Sequence, residues 1–165
     1  LMMKIDYKEG DTAMLNEIVH IGITVSDMER SISFYRDILG LEYKGELMME
    51  GPETDILFRL SGCKVRVAYL NGSSELFAPP VELIQFLAPR SETGHSDLHK
   101  TSISELCFHC EDIDKLYQHL KEHHVECLSE PQSFDFTRYG FGKSRAIYFK
   151  DPDGIILEAI QDTDE

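Results

Sequence analysis

The sequence has no uninterrupted apolar run near the ~20 residues that a membrane-spanning helix needs, and its first residues lack the basic-then-apolar pattern of a secretory leader. A cytoplasmic protein is the expectation. Basic residues are scarce as well: 16 Lys and Arg stand against 30 Asp and Glu, a formal net charge of −14. Such a chain repels phosphate backbones and anionic lipid, which argues against nucleic acid and membrane as partners. No long acidic block carries the charge, so it reads as a solvated surface and not as an interaction tail. Cysteine is sparse, at Cys63, Cys107, Cys110 and Cys127. With 42% hydrophobic residues over 165 positions, an ordinary apolar core is available, a disulfide framework is unnecessary, and reduced thiols are expected.

What the chain does contain is a repeat. His20-Ile21-Gly22-Ile23-Thr24-Val25-Ser26-Asp27-Met28 returns 85 positions later as Glu105-Leu106-Cys107-Phe108-His109-Cys110-Glu111-Asp112-Ile113, in both cases an apolar strand running into an acidic helix start. Each copy closes alike, in Val81-Glu82-Leu83-Ile84-Gln85 and in Leu157-Glu158-Ala159-Ile160-Gln161. His20 and Glu105 are therefore equivalent positions, and so are Glu82 and Glu158.

Periodicity organises the chain into a loose arm over residues 1–15, a first unit over 16–88, a linker over 89–102 and a second unit over 103–162. In the first unit a buried strand is expected over 18–25. A helix follows, with a capping box at Ser26 and Glu29, an apolar stripe of Met28, Ile32, Tyr35 and Leu39, and a stop at Gly40. Strands are expected over 41–47, 65–70 and 81–87. The second unit repeats that order, with a strand over 103–110, a helix over 112–123, and strands over 126–128, 145–150 and 155–161, the last two joined by the turn Asp151-Pro152-Asp153-Gly154.

Alternation along a strand puts His20, Gly22 and Thr24 on one face and Ile21, Ile23 and Val25 on the other; the same parity gathers Glu105, Cys107 and His109. The apolar parity belongs under the helix, so the His20 and Glu105 faces line any concavity. Glu82 and Glu158 are carboxylates inside apolar strands, where a charge costs several kcal/mol unless it is paired or coordinates a metal.

With His20-Ile21-Gly22-Ile23, Phe34-Tyr35 followed by Leu39-Gly40-Leu41, Val81-Glu82-Leu83, Glu111-Asp112-Ile113-Asp114 and Tyr148-Phe149 followed by Asp151-Pro152-Asp153-Gly154 and Leu157-Glu158, the chain resembles the vicinal oxygen chelate superfamily over residues 18–161. That group includes glyoxalase I, methylmalonyl-CoA epimerase, extradiol dioxygenases, and the fosfomycin and bleomycin resistance proteins. The resemblance implies an α+β fold of two tandem βαβββ modules forming a cupped, barrel-like mixed sheet with helices outside. It also implies one divalent metal (Mn, Ni, Co, Fe, Mg or Zn) held by His20, Glu82, Glu105 and Glu158, with Glu158 or Glu82 moving a proton. The substrate is then a small molecule with vicinal oxygens, turned over by glyoxalase-like or acyl-CoA epimerase-like proton transfer through a metal-stabilised enolate or enediolate, and the protein is expected to be a homodimer.

Glu105 departs from the pattern, because relatives with lyase or epimerase activity usually have His there. Three carboxylates and one imidazole favour oxygen-seeking ions and stabilise an enediolate less well than two of each. The ring-cleaving dioxygenases need that His for iron, so their reaction is disfavoured. Thr24 stands where glyoxalase I commonly has an arginine for its thiol cofactor, which argues against glutathione.

The residues themselves leave alternatives open. His20 is a ligand or a hydrogen-bonded strand histidine. Glu105 is a ligand, a base, or a rim carboxylate paired with Arg66 or Arg145. Thr24, His109, Arg66 and Arg138 are candidate substrate-lining residues, His109 equally a satisfied wall histidine. The rival to an enzyme is a metal-free protein that sequesters a small molecule. Cys107 and Cys110 match a C-x-x-C spacing but point to opposite faces of a strand. His119 and His123 match an H-x-x-E-H pattern but belong to a solvated helix end. Residues 136–143, aromatic and glycine-containing, are a flap or a plain surface loop.

Overall fold

Alternation sets up the architecture of the computed structural model, which describes residues 20–72, 80–92, 94, 98, 103, 105–139 and 142–163. The expected arm of residues 1–15 and most of the expected linker lie outside the described residues. Along strand β3 (Lys64–Asn71), Val65, Val67 and Tyr69 take one face while Arg66, Ala68 and Leu70 take the other. The sheet built on it has the order β1 (Ile21–Thr24), β4 (Val81–Ala88), β3, β2 (Glu42–Glu50), with β1 parallel to β4 and the remaining pairs antiparallel. The second sheet repeats this as β5 (Leu106–His109), β8 (Ile156–Asp162), β7 (Lys143–Lys150), β6 (Gln132–Asp135). Both sheets are cupped. The expected barrel-like closure is absent among the described residues, because β1 pairs with β4 and β5 with β8, and no strand joins the two sheets.

A helix packs on the apolar parity of each sheet: α1 (Met28–Ser33) on the first and α3 (Ile113–Glu122) on the second. The cap of α1 differs from expectation by one residue. Asp27 is the N-cap, its Oδ1 accepting from the Arg30 amide at 3.1 Å, and Asp112 does the same for the Lys115 amide at 2.9 Å. Ser26 instead donates its amide to Asp153 Oδ2 at 3.0 Å, and Glu29 pairs with Arg66. The expected stripe to Leu39 is interrupted by a π-turn (Phe34–Ile38) that continues from α1, and its wider winding buries Phe34 and Tyr35 together, ring edge against face at 5.3 Å. Gly40, at φ +76°, ends it.

Two further elements depart from expectation. A short helix α2 (Pro52–Phe58) separates β2 from β3, opened by Gly51-Pro52 and closed by Asp55, which accepts from the Gly62 and Cys63 amides. In the second half, the strand expected over 126–128 is a single bridge between Cys127 and Phe149, and the paired strand is β6.

The two halves meet through their helix-bearing faces. One buried cluster contains Ile23, Met28, Tyr35, Leu70 and Leu83 from the first half and Ile113, Leu120, Ile147, Phe149 and Leu157 from the second. At its edge the Asp-Pro-Asp-Gly turn grips α1: the Tyr35 hydroxyl donates to buried Asp151 at 3.1 Å, and Arg30 pairs with Asp153 at 2.7 Å. His119, expected at a solvated helix end, is half-buried with its Nε2 2.8 Å from the Ile38 carbonyl oxygen, because α3 packs against the end of the π-turn.

Candidate metal and substrate site

The faces turned away from the helices carry the candidate residues in two groups. In the first sheet, Gly22 is the register partner of Glu82 across β1 and β4, and Tyr69 is its partner across β3 and β4. His20 Nε2 lies 3.0 Å from Glu82 Oε2, and the Tyr69 hydroxyl donates to Glu82 Oε1 at 2.9 Å. Glu82 is only 12% exposed whereas His20 is 44% exposed, so the imidazole is the open side of the pair. Burial, then the hydrogen bond to Glu82, pushes the Tyr69 hydroxyl above its ordinary pKa. A Cβ at Gly22 would press on Ile84 Cδ1 at 3.1 Å and make ordinary contact with Glu82 Oε2 at 3.5 Å.

In the second sheet, Cys107 and Tyr148 are the register partners of Glu158. Desolvation first, then the charge and hydrogen bond of Glu158 and the charge of Glu105, push the Cys107 thiol up to about 12. Tyr148 is raised by burial and then by the same two carboxylates. Cys107, Tyr148 and Glu158 thus occupy the register positions that Gly22, Tyr69 and Glu82 occupy in the first sheet.

Among the described residues, no three His, Cys, Asp or Glu side chains converge closely enough to hold an ion, so the two groups do not merge within the chain. Thr24 lies exposed on β1 opposite Ile84, two residues beyond Gly22. His109 is exposed on β5, its Nε2 3.9 Å from Asp162 Oδ2. Arg138 is exposed in a short 3₁₀ turn (Thr137–Tyr139). Arg66 is on the other face, bonded to Glu29 at 2.6 Å and Glu46 at 2.7 Å. Arg145 occupies the equivalent place, bonded to Asp114. Neither arginine is therefore the partner of Glu105, which removes that alternative for both. Cys107 faces Glu158 while Cys110 packs against the core, and all four cysteines are free thiols.

Sequence reading missed the two tyrosines. The signal was present as a third repeated block, Lys64-Val65-Arg66-Val67-Ala68-Tyr69-Leu70 against Lys143-Ser144-Arg145-Ala146-Ile147-Tyr148-Phe149. It is masked because the spacing from Tyr69 to Glu82 exceeds that from Tyr148 to Glu158 by three residues, which hides that each Tyr faces a Glu.

Comparison with known proteins agrees with this architecture. Residues 17–159 match the family model of the Glyoxalase/Bleomycin resistance protein/Dioxygenase superfamily. The chain is 34% identical to the metallothiol transferase FosB of Staphylococcus epidermidis over 88% of its own length and 83% of that protein, and 30% identical to the protein YaeR of Escherichia coli K12 over 87% and 95%. Among solved structures it resembles a glyoxalase family protein from Bacillus cereus, with a TM-score of 0.79, 21% identity, and coverage of 93% of this chain and 98% of that one. It also resembles the trypanothione-dependent glyoxalase I of Leishmania major, with a TM-score of 0.62, 22% identity, and coverage of 89% and 87%. By the match of its sequence over most of its length, the chain belongs to the Glyoxalase/Bleomycin resistance protein/Dioxygenase superfamily.

Proposed function

We propose that the chain is a metal-dependent enzyme acting on a small molecule with vicinal oxygens, and that its chemistry is proton transfer of the lyase or isomerase kind. The observation that carries this is the His20–Glu82 pair. Two donors each ~2.0–2.2 Å from one ion and at right angles stand about 3 Å apart, which is the 3.0 Å between His20 Nε2 and Glu82 Oε2. The residues fit a divalent ion: one imidazole and three carboxylates are hard or borderline donors. A bound ion would supply positive charge where a substrate's oxygens gather negative charge.

The chain's own residues then divide the work. His20, Glu82, Glu105 and Glu158 would hold the ion. Glu158 accepts or returns the substrate's proton, its carboxylate turned to the cup by its place opposite Cys107 and Tyr148. Thr24 and His109 border the cup, and Arg138 is assigned to its rim. The proposal includes a homodimer in which the first pair of one copy meets the second pair of another; the shared core, which uses the helix-bearing faces and leaves the two groups on the opposite faces, supports it. No helix among the described residues is long and apolar enough to cross a membrane, and a cytoplasmic location is part of the proposal.

A second reading, transfer of a thiol to the substrate, is favoured by the relatives named metallothiol transferase. It uses the same pairs, with a carboxylate taking the thiol's proton as the sulfur bonds to a substrate carbon, and the proton passing to the substrate oxygen whose bond to that carbon breaks. The test is elemental analysis of protein purified without added metal, then loading with Mn²⁺, Co²⁺ or Ni²⁺ and incubation with α-hydroxy carbonyl compounds in D₂O. Stoichiometric metal with deuterium incorporation at the carbon beside the carbonyl supports proton transfer. Metal-dependent consumption of an added thiol without exchange supports the second reading. A protein that takes up no metal yet binds a small molecule tightly overturns both.

A further inference from the structure

The two glutamates that close the repeat are held differently, and the difference concerns which oxygens remain available. Glu82 has one neighbour per oxygen: the imidazole of His20 at Oε2 and the hydroxyl of Tyr69 at Oε1. The tyrosine is fixed twice over, as register partner of Glu82 and by packing against buried Cys63, Val65 and Val67. A phenol donating to a carboxylate makes a charge-assisted hydrogen bond, stronger than a neutral one, so Oε1 stays engaged while Oε2 faces the imidazole. Glu158 has Cys107 as its register partner on the neighbouring strand, where Glu82 has Gly22. At the position equivalent to Cys107 the first sheet has Gly22, which puts no side-chain donor beside Glu82.

We propose that Tyr69 is a positioning residue that divides the two oxygens of Glu82, so that Glu82 meets an ion through Oε2 alone and takes no part in moving the substrate's proton. The inference rests on the proposed ion site and adds to it an outer partner that orients a ligand. Removing such partners typically lowers metal affinity about 10–100-fold.

The test compares Tyr69→Phe, Glu82→Gln, the double variant and Tyr148→Phe in the full chain. Each is titrated with Co²⁺ by calorimetry, and the visible spectrum of the Co²⁺ protein is recorded as a measure of coordination. Phe keeps the ring against Val65 and Val67, and thermal unfolding verifies that each variant folds. The expected result is a 10–100-fold weaker Co²⁺ affinity in Tyr69→Phe, with a changed spectrum as Glu82 offers both oxygens. Tyr148→Phe is expected to have a smaller effect, and Tyr69→Phe to have no further effect once Glu82→Gln is present. An unchanged affinity and spectrum in Tyr69→Phe overturns the inference while leaving the ion site intact. An equal loss in the Glu82→Gln background also overturns it, because Tyr69 then acts on the fold and not through Glu82. Absence of Co²⁺ uptake by the unaltered protein overturns the ion site and the inference together.

Discussion

The two sheets place a carboxylate at the same register position and surround it with different chemistry. Around Glu82 are an imidazole, a glycine and a tyrosine; around Glu158 are a carboxylate, a thiol and a tyrosine. The backs of the sheets are alike by contrast. Arg66 reaches Glu29 in the first turn of α1 as Arg145 reaches Asp114 in the first turn of α3. Gln85 donates to the Ser26 carbonyl as Gln161 accepts from the Ile113 amide, each tying the last strand to the start of its helix. Duplication has kept what holds strand to helix and changed what faces the cup. The shared contacts are individually weak and screened by solvent, but together they fix each helix on its sheet, whereas the face turned to the cup can accept a new side chain at small cost to the fold.

The largest effect expected from this comparison is all-or-none. His20→Ala alters only the first group and Glu158→Ala only the second, and either is expected to abolish stoichiometric metal binding. If the site forms between two copies, mixing the two inactive variants under exchange conditions restores one intact site per mixed dimer, read as regained metal. No recovery in a verified mixed dimer would place the site within one chain.

Next in size is the shared core. Leu83 and Leu157 are both 0% exposed and belong to one cluster. Leu83→Ala and Leu157→Ala are each expected to lose about 2–5 kcal/mol, with a single unfolding transition in chemical denaturation. Two separated transitions would show that the halves unfold independently and would break the picture of a common core.

A smaller effect sharpens the chemical contrast. A thiol raised to about 12 has little thiolate at neutral pH, and the fraction rises tenfold per pH unit until the pKa is passed. Allowing for the greater nucleophilicity of a more basic thiolate, Cys107 in metal-free protein is expected to react with iodoacetamide roughly 30-fold more slowly than an ordinary cysteine at pH 7. Glu158→Gln removes the nearest charge, lowers the thiol pKa and accelerates labelling, measured by mass spectrometry. A rate unmoved by Glu158→Gln would mean that desolvation and the charge of Glu105 govern the thiol without Glu158.

The smallest effect tests the conserved back. Arg66→Ala exchanges a pairing with two exposed carboxylates for none, and because those partners are screened by solvent the expected loss is under about 1 kcal/mol and shrinks further in high salt. A loss that persists at high salt would assign Arg66 a packing role through its apolar stem.

Much of this was legible in one dimension. Strands of period two with a glutamate at a fixed place, a helix stripe and a twice-used acidic helix start mark out two like units; parity put His20 with Gly22 and Thr24, and Glu105 with Cys107 and His109, while the family resemblance added Glu82 and Glu158. Other parts were not legible. The α2 helix is seven residues whose start is signalled by Gly51-Pro52 but whose placement depends on Phe58 meeting Phe86 across the sheet at 5.2 Å. β6 lay beyond the segment that looked most like a strand, because Cys127 pairs only once before the chain turns away. Arg66 and Arg145 looked available to Glu105 until parity and pairing put them on the helix side.

The sequence by itself determined the duplicated strand-and-helix order, the acidic surface and the four candidate ligands, because periodicity and burial of charge are local properties of residue type and spacing. Only the tertiary structure decided that the halves join back to back through one core, that Tyr69 donates to Glu82, and that among the described residues the two groups stay apart within the chain. These depend on which faces of separate elements meet, and residues far apart in sequence settle that through packing that no local pattern encodes.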